Sequence, residues 1–129
     1  MLEIAGGYRP RNLCPNDNTE GGAYQLIDSR TGEVVYVGRT SSYDRRLGEH
    51  LRDPRFDGVP IQMDRTYPTP DYNTSRGLEQ RLYDDTWGDV PIADARAQGS
   101  LNRQRPMAQS NPKLVPRAEL VELYLALCL

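Results

Sequence analysis

Apolar residues along the chain change their spacing about a third of the way in. Ala23 to Asp28 and Glu33 to Gly38 are short β-branched and aromatic runs parted by Ser29, Arg30, Thr31 and Gly32, a pattern that predicts a β-hairpin. Tyr43, Leu47 and Leu51 then recur at i, i+4 and i+8, which predicts a helix laying that stripe on the sheet. Thr40, Ser41 and Ser42 are each able to cap it, and Pro54 ends it. Val59 to Thr66 alternates weakly and predicts a third strand, with Pro68, Pro70 and Asn73 marking a loop after it. A second helix is expected from Ser75 to about Trp87 on the stripe of Leu78 and Leu82. A short one follows over Pro91 to Gln98, stopped by Gly99, and a clearly amphipathic one over Arg117 to Leu127.

Strands followed by helices predict a small α+β domain, a short mixed β-sheet flanked by helices. Residues 1–22, rich in Gly, Pro and Asn, carry turn chemistry without periodicity and read as an irregular leader or linker remnant that only tertiary contacts would order. The folded domain is expected over 23–129, and 129 residues suffice for one core. No run is long and apolar enough to span a bilayer, and no signal peptide is visible, so no membrane role is expected.

Charge changes the picture less by its sum than by its chemistry. A net −2 argues against a polyanionic partner, yet Lys113 is the only lysine among 16 basic residues, and guanidinium is the side chain that grips phosphate bidentately. Cys14 and Cys128 have no further ligands at metal-binding spacing. They read as free thiols, with a single bridge between them as the alternative.

The chemistry-bearing residues are unremarkable one at a time. Tyr24 and Tyr36 are ordinary strand residues, Arg46 and His50 share a helix face at i, i+4, Arg45 is explained by an exposed pair with Glu49, Glu79 is able to pair with Arg76, and Asn102 is able to order a turn. On this reading Arg46 is left without a charged partner. Their order carries more. "GAY" at Gly22 to Tyr24, "YVG" at Tyr36 to Gly38, Arg46 with His50, then Glu79 and Asn102 together resemble the GIY-YIG nuclease family, with Ala23 where the family has isoleucine. "GLEQRLYDDTWG" and "LNRQRP" are similar to segments of the GIY-YIG domains at the C-terminal ends of secreted bacterial polymorphic toxins.

The resemblance implies a metal-dependent endonuclease acting on DNA, with RNA not excluded. It implies Tyr24 as the base for the attacking water, Tyr36 and His50 as its orienters, and Arg46 as the charge that lowers the phenol pKa and contacts the scissile phosphate. Glu79 would hold Mg²⁺ (or Mn²⁺), and Asn102 would position the scissile region. Arg39, Arg103 and Arg105 are candidates for backbone phosphates from charge and proximity. As a toxin module the domain would belong to a larger polypeptide, act in the cytoplasm of a target cell, and require a cognate immunity protein. The competing expectation is a catalytically silent nucleic-acid- or protein-binding module on the same scaffold.

Overall fold

The computed structural model describes residues 12–129. The hairpin forms as the pattern predicts: β1, Gly22–Asp28, turns through Gly32 into β2, Val34–Thr40. Ser42 caps α1, Tyr43–Leu51, its hydroxyl accepting from Arg45 N at 3.3 Å. A single 3₁₀ turn at Pro54–Phe56 follows, then β3, Ile61–Pro68. Asp71 caps α2, Tyr72–Trp87, by accepting from Thr74 N at 2.9 Å, so this helix starts almost one turn before the expected Ser75. Two more helices complete the chain, α3 at Ile92–Ala97 and α4 at Leu114–Cys128.

The sheet is antiparallel rather than mixed, in the order β2-β1-β3. α1 carries the chain back across one face, so β3 runs parallel to β2 but with β1 between them, and no neighbouring pair is parallel. Side chains alternate across the pleat. Ala23 and Val37 face a core built with Leu78, Leu82, Trp87, Val121 and Tyr124 from α2 and α4, whereas Tyr24 and Leu26 face Tyr43 and Phe56 on the α1 side. α2 and α4 approach closely because residue 77 is glycine: a Cβ there would lie 2.6 Å from the Arg117 carbonyl oxygen.

Two expectations are corrected here. Leu51 is 65% exposed, and the buried face of α1 runs through Tyr43 and His50 instead. The cysteines are not free thiols: Cys14 and Cys128 form a disulfide across 114 positions. A loop of that size removes about 4–5 kcal/mol of unfolded-chain entropy in the simplest treatment. Residues 12–21, part of the expected leader, are ordered by that bridge and by hydrogen bonds: Tyr43 N donates to Glu20 O at 2.8 Å, and Thr69 Oγ1 to Leu13 O at 2.7 Å. The remainder of the expected leader, 1–11, lies outside the described residues.

β2 is an edge strand, and its edge is closed. Leu101 N donates to Val35 O at 2.7 Å. Val37 N donates to Asn102 Oδ1 at 3.0 Å, and Asn102 Nδ2 donates back to Val37 O at 2.9 Å. The Leu-Asn segment therefore continues the ladder where a bare edge would stand open.

Candidate active site

The register of the hairpin builds the aromatic part of the site. Tyr24 pairs with Gly38 across β1 and β2, and Tyr36 stands two positions away on the same face. Gly38 is required by packing: a Cβ there would lie 2.5 Å from Tyr24 Oη and 2.9 Å from Tyr36 Cε1. The two rings stack with centroids 6.1 Å apart. His50, one helical turn beyond Arg46, meets Tyr36 at 4.8 Å and Tyr24 at 5.7 Å, and Phe56 closes over His50 at 5.3 Å.

Tyr24 Oη and His50 Nε2 lie 2.6 Å apart, both buried. Burial pushes the Tyr24 phenol well above its ordinary range, the neighbouring Tyr36 adds to this, and Arg46 only partly opposes it. Arg46 lowers the Tyr24 phenol in the direction expected of it, but desolvation outweighs the guanidinium. His50 moves the other way: burial, then Arg46 and Arg55, hold it down to about 4. A protonated phenol and a neutral imidazole make this an uncharged hydrogen bond, whose donor is set by the imidazole tautomer.

α1 turns Arg46 inward and Arg45 outward, their side chains being 34% and 60% exposed. Arg46 Nη2 lies 3.5 Å from the Tyr36 hydroxyl. Arg46 is not without a charged partner, as the sequence suggested: Glu49 Oε1 is 3.2 Å from its Nη1, and the same carboxylate reaches Arg45 at 3.7 Å. One carboxylate shared by two guanidiniums leaves Arg46 net positive charge to direct at the tyrosines.

Glu79 comes from α2, packed on the opposite sheet face, yet it joins this group electrostatically with Arg46, Arg39 and Tyr24. It shares a cavity of about 350 Å³ with Tyr36, Arg55, Arg76 and Asn102. Burial raises its carboxyl to about 7, against the pull of Arg76, Arg39, Arg46 and Arg117. Arg76 Nη1 is 3.9 Å from Glu79 Oε1, too long for a hydrogen bond. Four buried polar atoms of cavity-lining residues, Arg55 Nε, Arg76 Nε, Arg105 Nη2 and Glu79 Oε1, have no hydrogen-bond partner. Buried polar groups are ordinarily satisfied, so three donors and an acceptor left over in one cavity are suited to a bound group.

The donor set constrains what a metal could be. Glu79 is the one carboxylate lining the cavity, and no group of three or more His, Cys, Asp or Glu suited to a metal occurs among the described residues. This fits a hard divalent ion completed by water and substrate oxygens and does not fit a closed zinc site.

The other expected residues divide. Arg39 lies on β2 beside the Glu79 cavity, its Nε donating to Ser75 Oγ at 3.1 Å. Arg103 is exposed at the cavity rim. Arg105 also lines the cavity: its Nε donates to Met107 O and its Nη1 to Val90 O at 3.1 Å, while Nη2, 2.9 Å from Asp89 Oδ1, makes no hydrogen bond. Asn102 touches the cavity, and its amide oxygen and nitrogen are both bound to the Val37 backbone, so it positions β2 and keeps one Nδ2–H beyond that bond. Sequence reasoning missed Arg55, whose guanidinium lies 5.6 Å from the Tyr36 centroid, and assigned Arg76 only to a surface pair. The available signal was spacing: Arg76 precedes Glu79 by three, and Arg55 follows His50 directly after the helix-ending proline.

Compared with known proteins, the chain matches no protein-family model, no curated protein and no solved structure.

Proposed function

We propose that this chain is a metal-dependent endonuclease of GIY-YIG type that hydrolyses phosphodiester bonds in DNA. The observation that carries the reading is the convergence of Tyr36, Glu79 and three arginines with unsatisfied donors on one cavity, backed by the Tyr24–His50 pair and Arg46. Phosphodiester hydrolysis needs a placed water, positive charge on the phosphoryl oxygens and relief of charge on the leaving oxygen.

Each need has a residue. Tyr36 is the tyrosine that reaches the cavity, so it meets the attacking water, while Tyr24 is wholly buried and acts behind it. The neutral His50 ring, locked by Tyr24 Oη and by Phe56, fixes the Tyr36 ring against its edge. Arg46, beside the Tyr36 hydroxyl, stabilises charge developing there, and Arg55 and Arg76 offer their free Nε–H groups to phosphate oxygens. Glu79 would hold Mg²⁺ or Mn²⁺ through its unsatisfied Oε1, and the chemistry such an ion supplies is neutralisation of the leaving 3′ oxygen. Four arginines lower the Glu79 pKa, so the same charges repel a free dication. Metal and phosphate are therefore expected to bind together.

The toxin reading rests on the "GLEQ" and "LNRQRP" resemblance and gains support from the disulfide, which suits passage through an oxidising compartment. It comprises a larger secreted polypeptide, action in a target-cell cytoplasm and a cognate immunity protein. The deciding experiment incubates the purified domain with plasmid, single-stranded DNA and RNA, with Mg²⁺ or with chelator. Metal-dependent cutting is expected. Binding that chelation leaves unchanged, with no cutting of any substrate, would replace the enzyme by a silent binding module.

A further inference from the structure

A second cleft, of about 540 Å³, opens where residues 12–21 face the end of β2 and the start of α2. Its lining includes Arg39, Tyr72, Ser75 and the side chains of Asn12, Asn18 and Thr19. Tyr72 is 53% exposed, the one exposed aromatic among the large apolar side chains of the described residues. The Arg39 guanidinium lies 4.8 Å over its ring. Ser75 holds Arg39 there, accepting from its Nε at 3.1 Å while donating to Tyr72 O at 2.7 Å. Arg39 is in no carboxylate ion pair among the described residues, so its outer edge is left for an anion.

This cleft adjoins the candidate active site. Tyr72, Ser75, Arg76 and Glu79 fall at i, i+3, i+4 and i+7 of α2, one face of the helix. Arg39 acts electrostatically on Glu79. A ligand on Tyr72 and Arg39 is thus about two helical turns along that face from the carboxylate of the first cavity.

We infer that the second cleft is a subsite for an unpaired nucleotide flanking the scissile phosphate, with the base stacked on Tyr72 and a phosphate on Arg39. An exposed ring with the guanidiniums of Arg39 and Arg117 over it at 4.8 and 5.8 Å offers a base the ring area they leave uncovered and a phosphate the outer edge of Arg39. Amides and a hydroxyl on the rim offer donors and acceptors to a base edge, and the exposed Glu20 carboxylate adds an acceptor there. Duplex DNA keeps its base faces stacked on one another and offers none to Tyr72, so the cleft selects single-stranded or frayed nucleic acid. The word "flanking" rests on the nuclease reading; capture of an unpaired nucleotide does not.

The test is fluorescence anisotropy with the Glu79→Gln protein, without metal, on a short labelled single strand and on its blunt duplex. Tyr72→Ala should weaken single-strand binding roughly 10-fold or more, the usual effect of removing one stacking aromatic. Tyr72→Phe should bind like the parent, and Tyr72→Leu, which keeps apolar bulk but no ring, like Tyr72→Ala. Arg39→Gln should reduce the salt slope for the single strand by about 0.7, the loss of one phosphate contact. Duplex binding should change in none of them. A parent that binds no single strand overturns the subsite, as do Tyr72→Ala and Tyr72→Leu proteins that bind it like the parent or lose equally on duplex. Tyr72-dependent binding by a chain that never cuts keeps the subsite and removes the nuclease. Cutting and single-strand binding both indifferent to Tyr72 do the reverse.

Discussion

The two faces of the sheet use polar groups differently. On the α2–α4 face, buried polar groups are spent on the fold: Tyr83 Oη donates to Val90 O at 2.8 Å, Tyr124 Oη to Pro68 O at 2.9 Å, and Arg117 to Asn73 Oδ1 at 3.1 Å. On the α1 face, Tyr24, Tyr36 and His50 turn toward one another and toward Arg46, and the adjoining cavity keeps three donors and an acceptor unpaired. Unpaired buried polar atoms cost stability, so a fold that has just satisfied the same atom types across the sheet holds these at a loss. The difference separates groups that support the structure from groups reserved for a ligand.

The sharpest way to break this division is at the paired arginines of α1. Arg46→Ala removes the charge that faces the tyrosines and should slow cleavage on the order of 10²-fold or more, as loss of a preorganised donor commonly does. Arg45→Ala loses an exposed contact with Glu49 and should change cleavage little. Single-turnover rates with plasmid substrate would check both. Equal losses would mean that α1 contributes general basicity and no directed charge.

A smaller effect separates the faces through their glycines. Gly38→Ala places a methyl against both tyrosines and Gly77→Ala places one against α4, so each should destabilise by about 1–3 kcal/mol. Only Gly38→Ala should also lower cleavage by the folded protein, because it displaces Tyr24 and Tyr36. Urea melts beside rates measured well below the transition would show this. A Gly77→Ala protein that loses activity while fully folded would mean that the α2–α4 contact also sets the position of Arg76 and Glu79, which flank Gly77 on α2.

How much of this was legible follows from the range of each interaction. The hairpin and α1 were readable because their signals are local, and α2 was placed one turn late because the Asp71 cap was overlooked. Leu51 was assigned to the wrong face because i+8 has drifted about 80° from Tyr43 on an α-helix, whereas His50 at i+7 has drifted only about 20°. The Cys14–Cys128 bridge and the Asn102–Val37 ladder join positions 114 and 65 apart, which no local pattern encodes. Arginines were least legible. Arg105 clamps a loop and Arg55 faces a tyrosine, and only the neighbours distinguish them.

The smallest expected effect is in the pH dependence of stability, where two groups of the site act with opposite sign. Glu79 has its folded pKa raised to about 7 from an ordinary 4.5, so the stability it contributes is full below about 4.5 and lost as pH rises through about 7. His50 has its folded pKa lowered to about 4 from 6.5, so its contribution is present above about 6.5 and lost as pH falls toward 4. Thermal melts of the metal-free protein across this range should therefore diverge. Glu79→Gln removes the cost of an ionised buried carboxylate, so its Tm should rise relative to wild type between about pH 4.5 and 7 and level off above. His50→Gln loses its hydrogen bond to Tyr24 at every pH, so its deficit relative to wild type should shrink as pH falls from 6.5 toward 4. Curves parallel to wild type in both variants would mean that neither group is desolvated in the folded protein. The contrast between a satisfied face and a reserved one would then fail at its two titrating members.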